Sequence, residues 1–156
     1  MSIRFLPIPT ETATAYRNGA PDAYGNPPER MTSKGTGNPC RHCLDFIPDG
    51  AEMLVVAYSP FGARQPYAET GPIFLCADDC ATYDPHRGVP AIFDGNTMLI
   101  RAYSRDERIL YGTGEVVAPD AFTNEIAARL ARDDVAFVHV RSSTNNCFQA
   151  RVERSD

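Results

Sequence analysis

The chain has 156 residues, 43% hydrophobic and 22% charged, with a formal net charge of −5, which is typical of one globular domain and excludes a disordered chain. The 15 basic residues are scattered, which argues against nucleic-acid binding, and no apolar run approaches the roughly 20 residues of a membrane-spanning helix. Because the amino terminus also lacks the apolar stretch of a signal peptide, we expect a cytoplasmic protein that binds neither nucleic acid nor membranes.

A short strand and a short helix are predicted at the amino terminus. Residues 3–7 form the strand, Thr10 caps a helix that continues to about Asn18, and Gly19 ends it. The segment 19–39 is rich in proline and glycine and poor in apolar residues, so it is predicted to be a loop without regular structure. A loop of this length is either mobile or functional.

The middle of the chain is predicted to form strands. Residues 53–58 are a continuous apolar run between turn residues, typical of a central strand that is covered on both faces. Residues 73–75 repeat this pattern more briefly. Residues 97–103 and 108–117 are expected to pair as a hairpin across the charged turn at 104–107.

A second helix and a second hairpin are predicted towards the carboxyl terminus. The helix begins after the Pro-Asp pair at 119–120, and it carries apolar residues at four-residue spacing on one face. These residues are Phe122, Ile126 and Leu130. The hairpin consists of residues 136–141 and 147–153, joined by a turn at 142–146.

The last strand alternates apolar and polar residues. Phe148, Ala150 and Val152 are expected on one packed face, so that the other face of the sheet is exposed. Antiparallel strands with two helices segregated from them predict the α+β class, with a mainly antiparallel sheet. We expect residues 1–156 to form a single domain.

Four of the five cysteines occur as two spaced pairs. Cys40 and Cys43 are separated by two residues, and Cys76 and Cys80 by three. Each spacing lets two thiolates bind one metal ion, and four sulfur ligands are the set that a structural zinc ion prefers. If the strands at 53–58 and 73–75 run side by side, one edge of the sheet holds both pairs. The sequence thus indicates a zinc site.

Other interpretations of the cysteines remain open. In a reducing compartment they can be free thiols or small buried side chains, and a disulfide is a further alternative. A redox dithiol at Cys40 and Cys43 is less well supported, because no good helix begins there to lower the pKa of the first thiol. Arg41 and His42 can still stabilise a thiolate.

A catalytic thiolate has two candidates. Cys147 lies in the last hairpin, where His139 on the neighbouring strand can activate it as a nucleophile. Cys40 beside Arg41 is the second candidate. A partly buried cysteine with a purely structural role is the simpler explanation of Cys147.

Candidate ligand-binding residues come from the loop at 66–72 and from three arginines. The loop is a dense turn that carries Glu69 and can form the mouth of a pocket. Arg41, Arg101 and Arg141 can hold an anionic ligand through bidentate hydrogen bonds, although arginines on sheets often pair with carboxylates of their own chain.

Six short segments also carry a family resemblance: residues 40–44, 66–74, 101–103, 111–115, 138–141 and 146–148. In these the sequence resembles the bacterial family called domain of unknown function 1203, over nearly its whole length. The resemblance implies no activity. It implies that Cys40, Arg41, Arg141 and Cys147 are better candidates for a shared function than the four paired cysteines, which argues against a zinc role throughout the family.

These patterns support two functions. The first is a non-catalytic domain, stabilised by zinc, that binds a small molecule or a protein through the loop at 66–72 and the neighbouring cysteines. The alternative is a thiol-dependent enzyme that acts on a small anionic metabolite.

Overall fold

The computed structural model describes residues 1–155, which form eight strands and two α-helices. The strands are β1 (Ile3–Leu6), β2 (Glu29–Thr32), β3 (Glu52–Tyr58), β4 (Gly71–Cys76), β5 (Met98–Tyr103), β6 (Glu115–Val117), β7 (Phe137–Ser142) and β8 (Phe148–Arg154). The helices are α1 (Thr10–Arg17) and α2 (Phe122–Leu130). Neither helix within residues 1–155 is long and apolar enough to cross a membrane.

The strands form two antiparallel sheets. The large sheet has the order β1-β8-β7-β5-β6, and the small sheet has the order β2-β3-β4. Because every pair is antiparallel and both helices lie outside the sheets, the α+β class with a mainly antiparallel sheet is confirmed.

Helix α2 covers one face of the large sheet. Phe122, Ile126 and Leu130 are buried as their spacing predicts, and they pack in one cluster with apolar residues of β5, β7 and β8, such as Val138 and Val152. A second cluster joins the small sheet to α1 and to the start of β8. The two clusters lie on opposite faces of the β7–β8 pair, so this pair is covered on both sides.

The predicted amino-terminal strand and helix are confirmed, but the helix is not capped by Thr10. Thr10 is the first helical residue, and Pro9 occupies the capping position without a side-chain hydrogen bond. Gly19 follows the helix with a φ of 87°, a conformation that glycine adopts without strain.

The structure differs from the predicted strands in two regions, the segment 19–39 and the hairpin after β5. The segment 19–39 contains the exposed edge strand β2, which pairs with β3, so the prediction of no regular structure is wrong for these four residues. Strand β3 lies centrally in the small sheet, as predicted. In the hairpin after β5, Ile109 and β6 pair with β5. Residues 110–114 between them are not a strand, but the Leu110 N–H and the buried Thr113 hydroxyl still bond to the backbone of Ala102.

The prediction of a half-exposed carboxyl-terminal sheet holds for part of β8, where Arg151 and Glu153 are partly exposed and Ala150 and Val152 are buried. It does not hold for the neighbouring strand β7. All five residues from Phe137 to Arg141 are buried, although they alternate between the two faces of β7. A bulge between Val140 and Arg141 places Arg141 opposite Phe148. Phe148 therefore packs with the second cluster, on the face opposite Ala150 and Val152.

Candidate functional site

Four sulfur atoms converge at the end of the small sheet. The Sγ atoms of Cys40, Cys43, Cys76 and Cys80 all lie within 4.8 Å of one another, and Cys40 Sγ is 3.9 Å from Cys80 Sγ. Four sulfurs that bind one zinc ion at about 2.3 Å stand about 3.8 Å apart at the corners of a tetrahedron. The structure thus brings both cysteine pairs to one point, in an arrangement that can hold a metal ion.

The backbone explains how two distant pairs meet. The first pair lies in a tight turn between Pro39 and Phe46, which form an antiparallel bridge. Cys40 also forms a parallel bridge with Phe74 of β4, two residues before Cys76. This second bridge fixes the turn against the end of β4, so the length of the intervening chain does not keep the pairs apart.

Nitrogen atoms surround two of the sulfurs. The backbone N–H groups of His42 and Cys76 donate to Cys40 Sγ at 3.4 and 3.3 Å. Arg17 Nη2 donates to Cys80 Sγ at 3.1 Å, and His42 Nδ1 lies at the same distance from that sulfur. Such contacts stabilise sulfur in its charged thiolate form, which is the form that binds metal.

Further contacts fix the two side chains that touch Cys80. Arg17 extends from the last turn of α1, donates from Nε to the carbonyl oxygen of Cys76 at 3.0 Å, and lies 3.7 Å from the Asp79 carboxylate. His42 Nε2 is 2.8 Å from Thr10 Oγ1. An outer layer of hydrogen bonds that orients the groups around the ligands is a regular feature of protein metal sites.

The four thiols of the cluster differ in their pKa values. Hydrogen bonding with Cys43 lowers the pKa of the Cys40 thiol to about 6, and hydrogen bonding with Cys40 holds the pKa of Cys80 far below its usual range. The pKa values of Cys43 and Cys76 are raised, mainly by their hydrogen bonds with Cys40. These shifts favour the thiolate form at Cys40 and Cys80, which is the form that binds a metal ion.

Three of the four predicted ligand-binding residues form a second cluster between the sheets. The Glu69 carboxylate accepts hydrogen bonds from Arg101 Nη2 at 2.5 Å and lies 3.2 Å from Arg141 Nη1. Arg101 also donates to the Tyr103 hydroxyl at 2.9 Å from Nε and 2.7 Å from Nη2. Glu69 thus bridges two arginines of the large sheet from the loop that precedes β4.

A cavity of about 220 Å³ adjoins this cluster. Its walls include Tyr58, Glu69, Arg141, Asn145 and Cys147. A larger and more open cavity of about 560 Å³ lies beside the small sheet. Residues 70–72, at the end of the predicted loop, line both cavities.

Arg41 lies apart from the Glu69 cluster. Its side chain is fully buried and donates from Nε to the carbonyl oxygen of Phe148 and from Nη1 to that of Pro39, each at 2.7 Å. It forms no ion pair with a carboxylate among residues 1–155. Burial lowers its pKa to about 10, partly offset by the nearby Cys147 and Cys40 thiols. Arg41 thus carries a buried positive charge between the cysteine cluster and the cavity.

The catalytic candidates do not come together. Neither ring nitrogen of His139 has a hydrogen-bond partner within the described part of the chain, so no hydrogen bond joins His139 to Cys147. Burial lowers the pKa of His139 well below its usual value. The Cys147 thiol is 3.8 Å from the carbonyl oxygen of Asn145. Cys40, the other candidate, is fully buried within the cysteine cluster, where a substrate has no access.

Sequence reasoning missed two residues that complete these sites. Arg17 contacts Cys80, and Tyr103 binds Arg101. A basic residue in the last turn of a helix is so common that it gave no signal of its own. The sequence predicts Tyr103 in a strand, and it lies in β5. The alternation of that strand gives no sign that its hydroxyl accepts hydrogen bonds from Arg101.

Comparison with known proteins identifies the family of this chain. A family model described as "Protein of unknown function (DUF1203)" matches residues 37–154. This match includes both cysteine pairs, the Glu69 cluster and the cavity. No match was found among curated proteins or among solved structures.

Proposed function

The chain belongs to the DUF1203 family, and we propose that it is a non-catalytic ligand-binding domain in which the four paired cysteines hold a structural zinc ion. The observation that carries the proposal is the convergence of four Sγ atoms within 4.8 Å of one another. Zinc with four protein ligands has no open position for a substrate, so such a site stabilises a fold and does not catalyse a reaction.

The charges around the cluster support a metal ion with four thiolates. Such a centre carries two net negative charges, because four thiolates outweigh one divalent cation. Arg17 contacts Cys80 directly, and the buried guanidinium of Arg41 belongs to the residue after Cys40. Both arginines offset this charge, whereas four neutral thiols would leave Arg17 with only the exposed Asp79 carboxylate and Arg41 with no ion pair within residues 1–155.

The fold gives the metal ion a structural task. The cysteine turn and the end of β4 belong to different segments, and helix α1 contacts both of them. Thr10 lies 2.8 Å from His42 in the turn, and Arg17 binds Cys76 at the end of β4 and Cys80 after it. The small sheet has only three strands, one of them a fully exposed edge strand. A metal ion bound there would tie the cysteine turn to the end of β4.

The proposed ligand is a small molecule, and the site is the cavity beside Glu69. A partly enclosed cavity with a few charged groups is typical of small-molecule sites. We place the protein in a reducing cytoplasm, where thiols persist, and propose no role in nucleic-acid or membrane binding because its net charge is negative and its basic residues are scattered.

The alternative of a thiol-dependent enzyme has less support. Cys147 lines the cavity, but among residues 1–155 the one hydrogen-bond contact of its thiol is a weak one to the carbonyl oxygen of Asn145. A catalytic thiol requires a base or a lowered pKa, and His139 supplies no hydrogen bond to it. We therefore favour binding over catalysis.

Metal analysis of protein purified without added zinc tests the proposal. We expect one zinc ion per chain and a lower melting temperature after the ion is removed by a chelator. Cys80→Ser should lose the metal, whereas the matched variant Cys147→Ser should retain it, because Cys147 lies outside the cluster. Substoichiometric metal together with unchanged melting after chelation contradicts the zinc site. Stoichiometric iron in place of zinc contradicts the identity of the ion.

A further inference from the structure

Arg141 has two hydrogen-bond donors without an acceptor. Within residues 1–155, neither Nε nor Nη2 has a partner, and both atoms are shielded from water. These two nitrogens lie along one edge of the guanidinium group and donate in parallel, which is the geometry that binds both oxygens of a carboxylate. A buried charged donor without an acceptor is costly, so the site is incomplete as the chain alone forms it.

The charges around Glu69 are also incomplete. Arg101 and Arg141 carry two positive charges in side chains that are 16% and 4% exposed, and Glu69 supplies one negative charge. Arg41, which binds the backbone beside the cavity wall, has only neutral oxygens as hydrogen-bond partners. One further negative charge would balance the pair of arginines on the large sheet.

The cavity beside Arg141 limits the size of the group that can supply this charge. Its volume of about 220 Å³ corresponds to about seven water molecules at roughly 30 Å³ each. This space accepts a small organic ion and is too small for a nucleotide. The walls include Pro60, Pro72 and Phe148, which suit a short carbon chain better than the fully hydrated oxygens of a phosphate group.

We infer that this cavity binds a small monocarboxylate anion, with Arg141 Nε and Nη2 as its hydrogen-bond donors. The inference names the ligand class of the binding role proposed above and rests on that role. Both donor atoms are shielded from the cavity by their neighbours, so the inference includes a movement of the cavity rim that lets the anion reach them. The rim includes Asn145 and Asn146, which belong to an exposed turn between β7 and β8.

Titration of isotope-labelled protein with acetate, followed by nuclear magnetic resonance at constant ionic strength, tests the inference. We expect saturable shifts of the backbone amide signals of Asn146 and Cys147. Acetamide has the same shape as acetate but no charge, and it should cause no saturable shift there. Inorganic phosphate is the third probe. Saturation by phosphate but not by acetate overturns the inferred ligand class.

Two variants test the role of the arginine and the charge of the ligand. Arg141→Lys keeps the charge but loses the parallel donors, and we expect acetate to bind about tenfold more weakly. Asn145→Asp places a carboxylate at the exposed cavity rim without altering the core, so it should also weaken acetate binding several-fold. Its matched control is Asn124→Asp, the same change at an exposed site on α2, which should leave binding unchanged.

The failure of this inference can be separated from the failure of the zinc proposal. The titrations use protein whose metal content has been measured. The inference is overturned if acetate causes no saturable shift up to tens of millimolar, or if Asn145→Asp and Asn124→Asp bind it equally well. Zinc stoichiometry is unaffected by either result. Conversely, the protein can prove to be metal-free as purified and still bind acetate. That result contradicts the zinc proposal and supports the inferred ligand of the cavity.

Discussion

His139 is a buried histidine enclosed by aromatic rings, and replacing it with phenylalanine should change how stability depends on pH. The rings of Phe61, Tyr103, Phe137 and Phe148 lie 4.6 to 5.3 Å from the His139 ring, centroid to centroid. His139 itself is fully buried, and neither ring nitrogen is hydrogen-bonded within residues 1–155. His139→Phe keeps an aromatic ring in this position and removes the titrating group.

The size of the effect follows from the pKa of His139. Burial lowers this pKa well below the usual 6.5, and the nearby charges of Arg141, Arg151 and Arg101 lower it further. Below about pH 6.5 the unfolded chain binds a proton that the folded chain excludes, so the wild type loses about 1.4 kcal/mol of stability per pH unit. Between pH 6.5 and about pH 5 this loss amounts to about 2 kcal/mol.

Urea unfolding of both zinc-loaded proteins at pH 7.5 and at about pH 5 measures the difference. The phenylalanine changes the packing by the same amount at both pH values, so this effect cancels when the two pH values are compared. Protonation of the cysteine cluster occurs in both proteins, so it cancels when the variant is compared with the wild type. We therefore expect His139→Phe to be about 2 kcal/mol more stable, relative to the wild type, at the lower pH than at the higher one. An identical stability difference at both pH values would refute the burial of a neutral histidine.

Two further substitutions test the surroundings of the proposed metal site and the packing of the core. Arg17→Met removes the guanidinium that contacts Cys80 and should weaken zinc affinity about tenfold or more in competition with a chelator, since outer-layer groups around metal sites have effects of this size. The control Arg30→Met removes an exposed ion pair of β2 and should leave the affinity unchanged; equal losses in both variants would contradict the role of Arg17. Ile126→Ala creates a cavity at a fully buried position of α2 and should cost about 2–5 kcal/mol of unfolding free energy in a urea titration, whereas a loss below about 1 kcal/mol would contradict its packing against the large sheet.

Elements with a clear local pattern could be predicted from the sequence. Phe122, Ile126 and Leu130 repeat with the period of a helix, and all three are buried in α2. The apolar run in β3 is bounded by turn residues, and it forms the central strand of the small sheet. The spacing of the cysteines likewise predicted a convergence that the structure shows. For α2 and β3 neighbouring residues contain the information, so no knowledge of the tertiary fold is needed. The cysteine spacing indicated a metal site within each pair, but the meeting of the two pairs also required β3 and β4 to run side by side.

Features that depend on contacts between distant segments could not be predicted. The bulge in the β7–β8 pair moves Phe148 to the other face of the sheet, and strict alternation along one strand contains no sign of it. The arginines were recognised as candidates for anion binding, but the bridge made by Glu69 depends on how the loop before β4 folds over the large sheet. His139 was assigned to Cys147 because their strands are neighbours, yet its ring lies among aromatic side chains.

Arg41 links the candidate metal centre to the candidate ligand cavity. Its backbone belongs to the cysteine turn, where its N–H donates to the carbonyl oxygen of Phe74 at 3.1 Å. Its side chain crosses to the large sheet and binds the carbonyl oxygen of Phe148 at 2.7 Å. Phe148 and the preceding Cys147 both line the cavity. Because a bound metal ion would fix the cysteine turn and the turn anchors Arg41, the metal can hold this wall of the cavity in place without touching the ligand.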